Sequence, residues 1–506
     1  MFAHFRLTSP AGWVSRIQKH NQFLILGGLF VLYFSAWFIA NWPAAHRAWW
    51  YLEDYYRIEY LSDSIPKGFL EGRPLNGIWF LTFALDSNAA AQFQNIFLRL
   101  LQGGFHCLAA SISTYLLWDD TKHFSSFFCF LPFTLWPFNG EAVLWQSAGG
   151  YPLAAFLSVL GVFVLKSQSQ SQGSTIRKII GSVLIALAIF SNQIAAMAGL
   201  VVWFLIVCVR LLKDRSPLEF MGRAELGYLM GGYFGGGLAS ILMARYLDAS
   251  LERSGFAENI FDRLRYISDL NSLFFSWPEF YPAWLTWAQL ILLLAAVMVP
   301  LIIFLTSKKP VSTFLLFLDV LIAAFIIPYA PLLLLSESWA SFRIFYLAPM
   351  LLSLAWITIM QQKVNISVRF AAAGIFAVIL FGYFTIAWNN SAEYPKVFDA
   401  DMEKLKELRE LADQNQVENI FVASSPEYPV DEWNPYGIKY LYKDSKLSAF
   451  LVTDTAGPFI RTFSNLHPIN DTTVQEACYN ICSTDPFDKN SKIDIVVDQS
   501  TICVCP

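Results

Sequence analysis

Apolar residues in this chain come in runs long enough to cross a bilayer, and those runs decide what it can fold into. A crossing helix needs about 18 or more predominantly apolar residues, because its backbone polar groups must satisfy one another once water is excluded. On that measure the sequence predicts eleven helices, over approximately 23–41, 95–117, 123–138, 142–165, 177–192, 195–212, 227–246, 284–306, 311–335, 341–361 and 369–388, with the third and fifth short. Composition agrees. The 506 residues are 56 % hydrophobic and 15 % charged, too few charges to solvate several soluble domains. A surplus of aromatic residues, 45 Phe, 21 Tyr and 17 Trp, suits rings held at headgroup level. No small-residue cleavage site follows the first run, Phe23 to Ala40, so a retained helix is expected rather than a signal peptide. The net charge of -4 gives no sign of a nucleic-acid partner.

The Lys/Arg bias of the loops orients these helices. With the N-terminus cytoplasmic, each cytoplasmic segment carries basic residues, among them Arg16, Lys19, Lys122, Lys166, Lys178, Arg210, Lys213, Arg223, Lys308, Lys309 and Lys363. The first outer loop instead gathers Glu53, Asp54, Glu59, Asp63 and Glu71 beside Arg47, Arg57, Lys67 and Arg73. The expected fold class is therefore an α-helical polytopic membrane protein of about eleven spans, N-terminus in and C-terminus out. Residues 1–388 form the transmembrane module, with a long first outer loop over 42–94 and another over 247–283. Residues 389–506 form a small extracytoplasmic α/β domain, in which "MEKLKELRELADQ" has helical spacing while "NIFVAS" and "KIDIVVD" are β-rich. Cys107, Cys129 and Cys208 fall in helices; Cys478, Cys482, Cys503 and Cys505 fall in this tail. A 503–505 bridge would close a strained ring, so pairs crossing from 478/482 to 503/505 are expected. Zinc is the rival, disfavoured by an oxidising compartment.

The polar part of the first outer loop reads "WWYLEDYYRIEYLSDSIPKGFLEGRPL" from Trp49. Glu53 and Asp54 are adjacent carboxylates among aromatic residues, and a solvated interfacial pair is the plain alternative to a catalytic one. Gly72-Arg73-Pro74 is a rigid turn presenting a guanidinium suited to phosphate. The apolar "NGIWFLTFAL" that follows can lie on or dip into the membrane. Arg343, in "SESWASFRIFY", falls on the same face as the acid pair, with a snorkelling interfacial arginine as the alternative. Glu141 lies in a tight outward loop, "WPFNGEAVLWQSAGGYP", with Trp145, Gln146 and Tyr151 close behind, and a plain turn carboxylate is the equal alternative to a binding role. Asp319, in "FLLFLDVLIAAF", is read as packing or snorkelling, and Asp119-Asp120 as a short cytoplasmic turn.

"ED" after the first helix, then "GRPL", then a helix beginning "NIFLRLLQGGFH", resembles the serotype-converting O-antigen glucosyltransferases, the type II glucosyl transferase family of C-type polytopic glycosyltransferases. The resemblance spans roughly residues 20 to 390 and is clearest between 49 and 118. The family more often has Asp-Asp where this chain has Glu53-Asp54, which leaves open which acid is the base. The resemblance implies sugar transfer, of glucose, from a polyprenyl-phosphate donor to an O-antigen or similar surface glycan on the periplasmic side of a bacterial inner membrane. On that expectation Asp54 is the base and Glu53 orients the acceptor or shares the role. Arg73 and Arg343 bind the donor phosphate, while Glu141, Trp145, Gln146, Tyr151 and Arg57 bind substrate. Expected partners are the lipid-linked donor, the glycan or lipopolysaccharide acceptor and membrane lipids.

No Gly-rich phosphate loop or H-E-x-x-H motif occurs, so neither cofactor nor metal is implied, although the acid pair could bind a divalent ion. A flippase or transporter of lipid-linked sugars is the rival from another class, expected to carry charges near mid-membrane and pseudo-symmetric halves. An O-antigen polymerase is a further rival, kept open by Arg253, Arg263 and Arg265 in the 247–283 loop.

Overall fold

The computed structural model describes residues 10–47, 66, 68–70, 73–80, 89–121, 124–137, 140–144, 148–166, 174–213, 220–247, 259–276, 282–306, 311–334, 346–361, 365–417, 419–422, 460, 464, 467–468, 494–498 and 501–505. The protein is mostly helical, and the helices follow the apolar runs. Among the described residues, six helical segments are long and apolar enough to cross a membrane: Gln22–Ala40, Asn95–Asp119, Gln193–Leu212, Arg223–Tyr246, Ala283–Thr306 and the first part of Ile366–Asn415. Four of the other expected segments are shorter apolar helices, Phe124–Leu135, Gly150–Leu165, Phe314–Tyr329 and Met350–Met360. The last is Ser174–Ser191, of 18 residues.

In chain order the elements begin with α1 (Pro10–Ala40), the single turn α2 (Trp42–Ala45), the short α3 (Pro74–Phe80) and α4 (Ala89–Thr121). A 3-10 stretch, Phe124–Phe128, leads to α5 (Leu131–Leu135), and a π turn, Gly140–Leu144, precedes α6 (Gly150–Leu165). Then come α7 (Ser174–Ser191), α8 (Gln193–Ala196), α9 (Ala198–Leu212), α10 (Arg223–Tyr246), α11 (Ile260–Ser276) and α12 (Ala283–Thr306). A helical path made of α13 (Val311–Ile326), a 3-10 turn and α14 (Ala330–Leu334) is followed by α15 (Met350–Gln361) and α16 (Ile366–Asn415). The expected helix over 123–138 is thus two short pieces, with Pro132 opening the second. The expected helix over 142–165 starts only at Gly150.

The helices α1, α4, α6, α7 and α10 pack side by side, and small residues let them close. A methyl built on Gly161 of α6 would lie 2.9 Å from the Gly181 carbonyl of α7, and one on Gly181 would lie 3.1 Å from the Gly161 carbonyl. One turn apart on α10, methyls on Gly232 and Gly236 would meet Ser182 O at 2.8 Å and Ala186 Cα at 2.9 Å. The turn between α7 and α8 is held by Asn192, whose side chain accepts from Ala195 N at 2.9 Å. The break between α8 and α9 exposes the Ala196 carbonyl at membrane depth, and both Ser158 and Tyr233 donate to it. No water is needed there.

At 50 residues, α16 is about 75 Å long, far more than a bilayer core. The expected module boundary at 388/389 falls inside this helix. Its C-terminal half buries Asp401, Leu405, Leu408 and Ala412. It ends at Gln416, whose φ of 55° is the left-handed cap that turns the chain, while Val417 N bonds Ala412 O at 2.9 Å. From there run β1 (Asn419–Val422), β2 (His467–Pro468), β3 (Asp494–Asp498) and β4 (Thr501–Cys505), in the sheet order β2-β1-β4-β3. β1 is parallel to β2 and β4, and β3 is antiparallel to β4. Ile420, Ile460, Ile502 and Cys503 are buried around this sheet.

Gly232→Leu should force α10 away from α7 and lower stability by about 1–3 kcal/mol, the usual effect of overpacking. The check is the thermal melt of the purified protein in detergent; an unchanged midpoint would contradict the packing described.

Candidate functional site

Asn95, Arg99, Gln102 and His106 recur along α4 at spacings of four, three and four, which puts them on one helix face. Each is at most 1 % exposed, in a helix long and apolar enough to cross a membrane. A polar stripe buried inside a bundle of membrane-length helices marks a functional site by default. Arg99 Nε donates to Leu144 O at 3.0 Å, and its terminal nitrogen donates to Arg47 O at 2.8 Å. Its guanidinium therefore fastens the π turn and the start of the first loop to α4. Arg47 in turn pairs with Asp399 of α16 at 2.8 Å, and Asn390 of α16 donates to Pro137 O at 3.3 Å.

At its deeper end, the stripe meets a cage of rings. His106 Nδ1 and the Tyr346 hydroxyl are 2.7 Å apart. Phe133 packs against both, with ring centroids 4.2 Å from His106 and 5.2 Å from Tyr346. Tyr151, the second residue of α6, meets Tyr346 edge-on at 6.0 Å. The segment that starts the site on α4 thus connects to the N-terminal end of α6.

The short helix α3 docks on that same end of α6. Trp79, 8 % exposed, lies over Gly149, where any side chain would collide with its indole. A methyl on Gly150 would come within 2.7 Å of Asn76 Oδ1. Arg73 opens α3 and holds its first turn, accepting from Asn76 N at 3.0 Å and Gly77 N at 3.1 Å on its carbonyl. Its Nε donates to Gln193 Oε1 at 2.6 Å, and Gln193 Nε2 reaches Ser240 Oγ at 3.2 Å. The arginine is half-buried among α3, α8 and α10.

The opposite end of the bundle is closed by ion pairs. Lys166 at the end of α6 pairs with Asp119, and Lys178 pairs with Glu225 at 3.1 Å. Lys166 and Arg210 both stand over the Phe220 ring, at 5.5 Å and 5.8 Å from its centroid. Asp119 acts there as a structural counter-ion.

Of the residues singled out in the sequence, Arg73 and Tyr151 stand at this site. Glu53, Asp54, Arg57, Trp145, Gln146, Arg343, Cys478 and Cys482 lie outside the described residues. Glu141 is on the π turn, with its side chain outside the description, and so is the side chain of Cys505. Cys503 is buried on β4. The stripe on α4 was not among the expected site residues, although its spacing is visible in "NIFLRLLQGGFH". Among the described residues, no group of three His, Cys, Asp or Glu could hold a metal ion. No protein-family model, no curated protein and no solved structure matches the chain.

A double-mutant cycle on His106→Leu and Tyr346→Phe should show a coupling of about 0.5–3 kcal/mol in melting experiments, as for residues in direct contact. Strict additivity would contradict the bond between them.

Proposed function

We propose that this chain is a membrane-embedded glycosyltransferase that moves a sugar, glucose by the resemblance in its first loop, from polyprenyl phosphate to a surface glycan. The observation that carries this reading is the buried polar stripe Asn95–Arg99–Gln102–His106, which connects through Tyr346 and Tyr151 to the end of α6 where α3 and Arg73 dock. A lipid-linked sugar has a polar head and an apolar tail, so its enzyme needs polar groups at the end of a hydrophobic bundle. A stripe that starts at a loop and descends among helices meets that need.

In the proposed reaction an acceptor hydroxyl oxygen bonds to the anomeric carbon as the bond from that carbon to the phosphate oxygen breaks. The hydroxyl proton passes to Asp54, with Glu53 orienting the acceptor, and polyprenyl phosphate leaves with both bonding electrons. Arg73 and Arg343 offset its growing charge. A single displacement inverts the anomeric centre. Glu141, Trp145, Gln146, Tyr151 and Arg57 hold the sugars. The site faces the periplasm of a bacterial inner membrane, with the N-terminus cytoplasmic and the tail outside. There Cys478 and Cys482 pair with Cys503 and Cys505, and the tail holds the acceptor glycan or a partner.

Transport of the lipid-linked sugar is the second reading. It is favoured by the length of the stripe, since the twelve residues from Asn95 to His106 cover about 16 Å of helix. Membranes containing Asp54→Asn, assayed with labelled polyprenyl-phosphate glucose and native acceptor, should lose about 10²- to 10⁴-fold in transfer with donor binding retained. Glu53→Gln, run beside it at matched abundance, should fall less. Full transfer in both single variants and the double variant would overturn the assignment, and donor translocation in vesicles by the same proteins would install the transporter instead.

A further inference from the structure

Asp319 has no role in the site just described, and its surroundings are unusual. It lies on α13 four residues after Leu315, three after Leu316 and three before Ile322. Those positions share one helix face. All four side chains are exposed, the three apolar ones at 53 %, 47 % and 56 %. The opposite face, with Phe317, Val320, Leu321 and Ala324, is buried, and α13 packs on α9. Asp319 is therefore at the centre of an apolar outer face, without a hydrogen bond or ion pair among the described residues.

With α13, the 3-10 turn and α14 read as one crossing, Asp319 stands about two turns inside it, among apolar side chains. In either protonation state its oxygens need a partner that lipid tails do not supply. Acidic residues inside membrane spans ordinarily face the bundle interior or pair with another charge. This one faces outward.

We propose that the Asp319 face of α13 docks a transmembrane helix of another protein that carries a lysine or arginine within its apolar span. Charge chooses this occupant over a second copy of the chain. Among the described residues, the basic side chains inside the apolar spans are Arg99 and Arg210, both buried, and the others lie within about one turn of a span's end or beyond it. The described residues of a second copy would thus offer Asp319 no cation at its depth. Leu315, Leu316 and Ile322 supply the apolar surround that keeps water from the pair.

The test uses the full chain in liposomes with a synthetic single-span leucine–alanine helix bearing one lysine at the matching depth, beside the same helix with leucine there. Each peptide carries one cysteine, and disulfide crosslinking to a Leu316→Cys chain is measured. The lysine peptide should crosslink about three- to tenfold more than the leucine peptide, the range of one interhelical polar contact in a bilayer. Asp319→Asn should cut that excess and Asp319→Leu should abolish it, with the melting midpoint of Asp319→Leu unchanged or raised. Equal crosslinking of both peptides, an excess that survives Asp319→Leu, or chain-to-chain crosslinking that the lysine peptide does not reduce would overturn the proposal. So would loss of folding in Asp319→Leu, because the carboxyl would then serve the chain's own packing.

Discussion

A guanidinium buried among helices is the constraint on which this architecture turns. Arg99 is fully buried in a membrane-length helix, and a charge at such depth costs about 3 kcal/mol even on the mildest insertion scale. It donates to the main-chain carbonyls of Leu144 and Arg47. Those carbonyls are available because neither belongs to a regular α-helix: Leu144 ends a π turn and Arg47 follows the single turn α2. The irregular backbone and the buried cation satisfy each other. Removing the guanidinium would take a donor from both carbonyls.

From that knot the rest of the site follows. The π turn leads to Gly149 and Gly150, whose lack of side chains admits Trp79 and Asn76 of α3, and α3 brings Arg73 to Gln193. Tyr151, one residue on, touches Tyr346, which meets His106 four residues after Gln102 on α4. On the far side, Arg47 binds Asp399, so the long α16 is tied to the same end and carries the sheet of the tail with it. The other end, by contrast, is closed by the Lys166–Asp119 and Lys178–Glu225 pairs. The bundle is thus polar and interlocked at one end and sealed by ion pairs at the other.

Much of the helical framework was legible because long apolar runs have few alternatives. Boundaries were not. The start of α6 at Gly150 depends on a tryptophan from a different segment, and nothing local in "AVLWQSAGG" announces it. The continuation of α16 past residue 388 was hidden because hydropathy falls there while helix-forming residues continue through "MEKLKELRELADQ". Arg73 was readable from its Gly-Arg-Pro turn, as a guanidinium beside a short apolar segment. The α4 stripe was readable too, but only by treating the polar residues of an apolar run as a periodic set. The His106–Tyr346 contact was not, since 240 residues separate the two.

The central claim is that a lipid-linked sugar is handled along the α4 stripe. Photo-crosslinking with a polyprenyl-phosphate glucose analogue carrying a diazirine on the first isoprene unit, followed by peptide mapping, tests it most directly. The account predicts labelling concentrated in peptides covering 95–106 and the Tyr346 segment, suppressed by unlabelled donor. Labelling confined to the outward faces of α10 and α12, or unaffected by donor, would contradict it.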